Sequence, residues 1–145
     1  MPPPPPPVFI DTWGWLALGN HRETKHTQIK QYYETLQTQN TQIYTTDYVL
    51  DELITLLFRR ESFQDAVRFI KGILHSANQG DIFIERITAH RFASAWQLRQ
   101  QYQDKPDISF TDFISMSVMM ERKIRKVLTE DHHFLTVGKD FQLVP

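Results

Sequence analysis

Residues 127–134 have the sequence "VLTEDHHF", in which a charged segment follows a short apolar run. A short apolar, β-branched run stops at Thr129, and two acids and two histidines follow it directly. In α/β proteins with a parallel sheet, ligands bind in the crevice beyond the carboxyl ends of the strands. The stretch can therefore be a solvated turn after a strand or the rim of a site that collects charge, and the rest of the sequence has to decide between them.

Segments typical of strands and segments typical of helices alternate along the rest of the chain. Short runs rich in β-branched and aromatic residues predict strands at 8–11, 43–46, 82–87, 127–129 and 141–144. Apolar residues at helical spacing predict helices at 13–19, about 24–39, 49–57 (capped by Thr46 or Asp47), 62–77, 89–102 and about 110–125. The alternation predicts the α/β class, a three-layer α/β/α fold around a mainly parallel sheet of four or five strands.

The length and composition predict one domain after a short tail. Residues 1–7 are a methionine and six prolines, which predict a disordered, extended polyproline tail, and residues 8–145 form the single domain. No cysteine is present, which excludes a disulfide framework and a thiolate zinc site. No apolar run reaches the roughly 18 residues of a membrane span, and the N-terminus lacks a signal-peptide pattern. We therefore expect a cytoplasmic protein without membrane contact.

The net charge of −1 excludes a polycation that binds nucleic acid through its overall charge. The basic runs at 58–60 and 122–126 are, each by itself, typical of a solvated helix face. A nucleic acid partner would therefore have to be held by local patches or through bound metal ions.

Acidic residues follow the predicted strands at several distant points of the chain. Asp11 ends the first strand, and Asp131 lies two residues past the strand at 127–129. Asp112 lies in the first turn of the helix that begins near Ser109, and Glu52 lies in the second turn of the helix after the second strand. Because the carboxyl ends of parallel strands meet at one edge of a sheet, these carboxylates can converge there.

Each of these acids also has an ordinary structural explanation. Asp11 can cap the helix that follows it, and Asp131 can be a turn acid. Asp112 complements the dipole of its helix. Asp51 and Glu52 flank the apolar stripe of their helix at similar angles, so periodicity does not choose between them.

A cluster of carboxylates would need cations. Two carboxylates about 5 Å apart repel by roughly 3 kcal/mol at an effective dielectric near 20. Such groups take up protons unless cations lie among them, and all-oxygen ligand sets suit Mg²⁺ or Mn²⁺. Ions of this kind promote the hydrolysis of phosphodiesters.

The order of these residues resembles that of the PIN-domain nucleases, and among them the ribonuclease toxins of bacterial toxin–antitoxin pairs of the VapBC type. The likeness covers about residues 8–145. Its most specific part is "TEDHHF", residues 129–134, which follows the T-x-D-x-H-F pattern of the family. "DTWGWLAL" at 11–18 and "SFTDF" at 109–113 resemble two further motifs, and Glu52 in "LDELITLL" matches the helical glutamate.

The resemblance implies a role for each matched position. The acids that would hold one or two Mg²⁺ or Mn²⁺ ions and form the catalytic set are Asp11, Glu52, Asp112 and Asp131. The hydroxyl neighbours that would orient ligands or water are Thr12, Ser109 and Thr129. His133 and Phe134 would shape and pack the loop, and neither His132 nor His133 is expected to be a ligand. Asp51, Asp104 and Asp107 are additional acids outside the set.

The function implied by the resemblance is that of a metal-dependent endoribonuclease, the toxin of a toxin–antitoxin pair. Its partners would be an RNA substrate, a cognate antitoxin and a second copy of the chain in a homodimer. The alternatives are a PIN nuclease of RNA processing and a non-catalytic module that binds RNA or protein. A haloacid-dehalogenase-type phosphatase is disfavoured because Trp13 stands where that pattern needs a second aspartate. A metal-free ribonuclease based on His132 and His133 would stay active in EDTA.

Overall fold

The structure, a computed structural model, describes residues 2–137 and 140–145 of the chain. The strands of this part are β1 (Val8–Ile10), β2 (Ile43–Thr46), β3 (Ile82–Glu85), β4 (Lys126–Leu128) and β5 (Gln142–Val144). Its helices are α1 (Thr12–Gly19), α2 (His26–Thr38), α3 (Asp47–Arg60), α4 (Phe63–Asn78), α5 (Ala89–Gln100), α6 (Phe110–Arg122) and α7 (His133–Thr136).

The five strands form one sheet in the order β3-β2-β1-β4-β5, and every neighbouring pair is parallel. The α/β class and the mainly parallel sheet, flanked by helices, are therefore confirmed. The pairing of β1 with β4 joins segments at opposite ends of the chain, with Ile10 opposite Leu128. Because both strands end at the same edge, the residues that follow β1 and β4 come together there.

The core lies on both faces of the central strand. Val8–Ile10 is fully buried, which explains why β1 is a continuous apolar run without polar alternation. Phe113 and Met116 of α6 are also fully buried, and burial of a side chain of this size contributes about 1.5–3 kcal/mol. The packing of β1 and α6 fixes the positions of the acids that these elements carry.

The start of α3 distinguishes the two predicted caps. The Thr46 hydroxyl accepts a hydrogen bond from the Val49 amide at 3.1 Å, so Thr46 is the N-cap. Asp47 instead accepts a hydrogen bond from the Ile87 amide at 3.2 Å and ties α3 to the segment after β3.

The end of α6 differs from the prediction. The helix ends at Arg122 and not near 125, because Lys123 adopts the left-handed conformation with φ 57°. The amide of the next residue, Ile124, then donates to the Met119 carbonyl at 2.8 Å, and its side chain is buried. This turn closes the helix in the manner usual for a C-terminal glycine, which is the signal that the sequence lacks.

Residues 2–7 have no regular secondary structure, and most of them are exposed. That they are a disordered tail, separate from a single domain at 8–145, stays a prediction. In the part of the chain that the structure describes, no helix is both long and apolar enough to cross a membrane.

Candidate active site

Asp11 caps α1 and is buried at the carboxyl edge of the sheet. Its Oδ1 accepts a hydrogen bond from the Gly14 amide at 3.0 Å, and its Oδ2 accepts one from the Thr129 hydroxyl at 2.5 Å. The residue is only 4% exposed. Burial raises the pKa of the Asp11 carboxyl to about 7, the two hydrogen bonds oppose the rise, and the charges of Asp131 and Glu52 add to it. Asp11 is therefore the N-cap of α1 and also lies within electrostatic reach of Asp131 and Glu52.

Gly14 allows α1 to approach the end of β4. A Cβ atom at this position would lie 2.7 Å from the Leu128 carbonyl oxygen and 2.8 Å from Cγ2 of Ile10. Such contacts are too close for any side chain, so glycine is required for this approach. Gly14 was not predicted to matter, and its only signal in the sequence is a glycine inside the first turn of a helix.

The segment after β4 explains the T-x-D-x-H spacing. The Thr129 hydroxyl accepts a hydrogen bond from the Asp131 amide at 2.9 Å, while it donates to Asp11. Asp131 Oδ1 in turn accepts from the His133 amide at 2.9 Å, at the start of α7. Thr129 and Asp131 thus each fix the backbone two residues further on. Phe134 is fully buried beside Phe141, with ring centroids 6.0 Å apart, so it packs the loop as expected.

Asp112 meets the other acids from α6. Ser109 is the N-cap, and its hydroxyl accepts from the Asp112 amide at 3.1 Å. Ser109 itself is exposed, so its contact with the site is through the backbone of Asp112. Burial raises the pKa of the Asp112 carboxyl to about 8. The neighbouring Asp131 carboxyl adds to this rise, and so do the charges of Asp11 and Glu52.

Glu52 of α3 lies within electrostatic reach of the site, because its charge raises the pKa values of both Asp11 and Asp112. It is half-buried, whereas the neighbouring Asp51 is exposed, so the structure chooses between the two acids that periodicity left open. Thr12 is buried at the start of α1 next to Asp11. The remaining acids that could have been confused with the set, Asp104 and Asp107, are exposed in the loop before α6.

The structure also adds a histidine to the cluster. One donor atom each of Asp112, Asp131 and His133 lie within 4.8 Å of one another. The His133 Nδ1 atom is 3.0 Å from Asp131 Oδ1. Neither histidine was predicted to be a ligand, and the T-x-D-x-H spacing is the signal in the sequence for the proximity of Asp131 and His133.

These residues fit a divalent cation. Their oxygens are hard donors of the type that Mg²⁺ and Mn²⁺ prefer, and each carboxylate oxygen of Asp11 keeps a lone pair beyond its one hydrogen bond. Burial and the neighbouring acids destabilise the charged forms of Asp11 and Asp112 and raise their pKa values, and a cation bound among these carboxylates would oppose both effects. On the rim, Glu130 forms an ion pair with Lys25, which ties the loop to the start of α2.

Comparisons with known proteins give matches over nearly the whole chain. The sequence model of the PIN domain family matches residues 8–140. A relative from Mycobacterium tuberculosis, the 23S rRNA-specific endonuclease VapC20, is 29% identical over 131 residues, which span 90% of this chain and 94% of the relative. The crystal structure of VapC20, described as a sarcin–ricin loop cleaving toxin, is similar with a TM-score of 0.78 and 28% identity, over 94% of this chain and 98% of that chain.

A more distant structure has the same fold. VapBC2 from Rickettsia felis, solved with a DNA fragment from its promoter, has a TM-score of 0.70 at 16% identity and covers 94% of this chain and 96% of that chain. This likeness supports the architecture alone.

Proposed function

The chain belongs to the PIN domain family, and on this premise we propose that it is a metal-dependent endoribonuclease that acts as the toxin of a toxin–antitoxin pair. The observation that carries the proposal is the convergence of Asp11, Asp112 and Asp131 from three distant segments, with Glu52 close enough to raise the pKa values of Asp11 and Asp112. The similarity to VapC20 over nearly the whole chain supports the same activity.

The residues that would hold one or two Mg²⁺ or Mn²⁺ ions are Asp11, Glu52, Asp112 and Asp131. A bound ion would polarise the phosphate and lower the pKa of a water molecule at the site. The chain's own contribution is to hold the oxygen donors in place: Thr129 and Gly14 fix the Asp11 carboxylate, and the Ser109 cap fixes the backbone of Asp112. Water would attack the phosphorus and the 3′-oxygen would leave, so the 2′-hydroxyl is not needed and the products would carry 5′-phosphate and 3′-hydroxyl ends.

The test is cleavage of total RNA by the purified protein with Mg²⁺, with Mn²⁺ and with EDTA. We expect cleavage only with metal, and a loss of about 100-fold or more in Glu52→Gln, Asp11→Asn and Asp112→Asn, since changes merely beside metal ligands already cost 10–100-fold. Asp51→Asn is the matched control because this exposed acid is adjacent to Glu52. Wild-type rates in the site variants, or full activity in EDTA, would contradict the proposal.

Ribosomal RNA is the substrate class that we propose to test first. VapC20 is named for 23S rRNA, and this chain aligns with 94% of it. Intact ribosomes incubated with the protein should give a discrete 23S fragment, whereas a nuclease of RNA processing would cleave precursor RNA and would not arrest growth on expression. A non-catalytic module would bind RNA without any cleavage. The predicted cytoplasmic location fits these substrates.

An antitoxin is the second proposed partner, because a nuclease that acts on the cell's own RNA needs an inhibitor. The acidic cluster favours a partner segment with a lysine or arginine, whose cation would offset the carboxylates at the site. Co-expression with the product of a neighbouring reading frame should restore growth and abolish cleavage, and persistent toxicity with every neighbouring product would contradict this part.

A homodimer is the third proposal. Phe92 and Trp96 are 46% and 51% exposed and lie four residues apart on one face of α5, which is typical of an apolar face that another chain covers. Trp96→Glu should shift the sedimentation coefficient to that of a monomer, whereas Leu74→Glu on α4 should not. A wild-type protein that sediments as a monomer at high concentration would overturn the proposal.

A further inference from the structure

His133 lies beside the acids with an unsatisfied ring nitrogen. Its Nδ1 is buried and has no well-aligned hydrogen-bond partner among the described residues. The nearby Asp131 Oδ1, at 3.0 Å, already accepts from the His133 backbone amide at 2.9 Å. A ligand at this nitrogen would supply the partner that the atom lacks.

The position of Nδ1 relative to the carboxylates matches a metal ligand. Donor atoms of one octahedral ion, each about 2.1 Å from it, lie about 3 Å apart when adjacent and about 4.2 Å apart when opposite. The observed distance of 3.0 Å between Nδ1 and Asp131 Oδ1 equals that of adjacent ligands. The whole set with Asp112 lies within 4.8 Å, so a small inward movement would bring the three donors onto one ion.

The local fold holds His133 in this place. Its backbone amide donates a hydrogen bond to Asp131 Oδ1, and the next residue, Phe134, is fully buried. His132 precedes α7, is exposed and is not a member of the cluster, so the two neighbouring histidines form a natural comparison.

We propose that His133 Nδ1 is a nitrogen ligand of the metal ion held by Asp112 and Asp131, and that it makes the site prefer Mn²⁺ to Mg²⁺. The proposal rests on the proposed metal-dependent function. Mg²⁺ demands oxygen ligands, whereas imidazole is a better ligand for transition metals. One nitrogen among the oxygens therefore shifts the selectivity without changing the charge of the site, because the ligating imidazole is neutral and carries its proton on Nε2.

The test uses the full chain, stripped of metal and titrated with Mn²⁺ alone and with Mg²⁺ alone. Pulsed electron paramagnetic resonance of the Mn²⁺ complex should show the nitrogen coupling of a directly bound imidazole. In His133→Ala and His133→Gln this signal should vanish, and the Kd for Mn²⁺ should rise about tenfold or more while that for Mg²⁺ changes little. His132→Ala should retain both the signal and the wild-type selectivity. Circular dichroism of each variant confirms that it folds.

Two results would overturn the proposal. If the His133 variants keep the nitrogen coupling and the wild-type preference for Mn²⁺, while Asp131→Asn loses Mn²⁺ binding, His133 is not a ligand and the proposed nuclease function stands. If the wild-type protein binds neither ion at millimolar concentration, this proposal and the proposed metal site both fail.

Discussion

Asp11 combines two tasks in one carboxyl group. One oxygen caps α1 through Gly14, the other accepts from Thr129, and burial still raises the pKa of the group to about 7. The two hydrogen bonds stabilise the charged form of Asp11. Desolvation and the neighbouring acids destabilise this form by more. The charged site is therefore a source of instability in the metal-free protein, and this is measurable.

We predict that the metal-free protein loses stability as the pH rises. The folded-state pKa values of Asp11 and Asp112, about 7 and about 8, lie above the ordinary aspartate value of 3.8. The stabilising contribution of these groups to the free energy of unfolding is therefore fully present below about pH 4 and is lost as the pH rises through about 7–8. Each group loses about 1.4 kcal/mol per pH unit within this range. Urea denaturation in EDTA between pH 5 and 8 measures this loss.

Asp112→Asn is the control for the pH dependence, because it removes one of the two groups and should flatten the slope. An unfolding free energy that is constant or rises over this range in the wild type, or an equal slope in the variant, would contradict the assignment of raised pKa values to the site.

At the scale of elements, the site depends on the contact of β1, β4 and the first turn of α1. The alternation of strands and helices was enough to predict the sheet and the edge at which Asp11 and Asp131 follow their strands. Two features of the elements could not be predicted from this alternation. α7 has only four residues, too few for any periodicity, and α6 ends at a left-handed Lys123 without the glycine that normally signals such a turn.

Gly14→Ala should disturb the contact between α1 and β4. The added methyl would meet the Leu128 carbonyl oxygen at 2.7 Å, so we expect a loss of about 1–3 kcal/mol in unfolding free energy and weaker metal binding, since Asp11 must move with the helix. The matched control is Gly72→Ala in α4, where a Cβ meets nothing within 4 Å. The control should be neutral or up to about 1 kcal/mol more stable. Equal thermal and metal-binding behaviour of the two variants would show that the close approach has no consequence.

At the scale of the whole molecule, long-range convergence decides what sequence patterns could predict. Helical periodicity could not choose between Asp51 and Glu52, because it gives the angle of a side chain around its helix but not the direction in which that helix faces the sheet. The proximity of the His133 ring to Asp131 could not be predicted for a similar reason. The spacing fixes its backbone, whereas the orientation of Nδ1 toward Asp131 depends on how α7 packs through Phe134.

Divalent metal should stabilise the entire fold through this one site. At a metal concentration 100 times the Kd, linkage predicts about 2.7 kcal/mol of stabilisation, or a rise of about 5 °C or more in Tm for a chain of this size. Scanning calorimetry with Mn²⁺ or Mg²⁺ and with EDTA measures the shift, and Asp131→Asn should abolish most of it. A wild-type Tm that is the same with and without metal would count against the linkage.

Anomalous diffraction from crystals grown with Mn²⁺ is the most direct test of convergence. We predict a manganese peak about 2.2 Å from carboxylate oxygens of Asp11, Asp112 and Asp131, at the carboxyl edge of β1 and β4. Crystals with saturating Mn²⁺ that show no peak at these oxygens, or the peak only at other acids, would contradict the account.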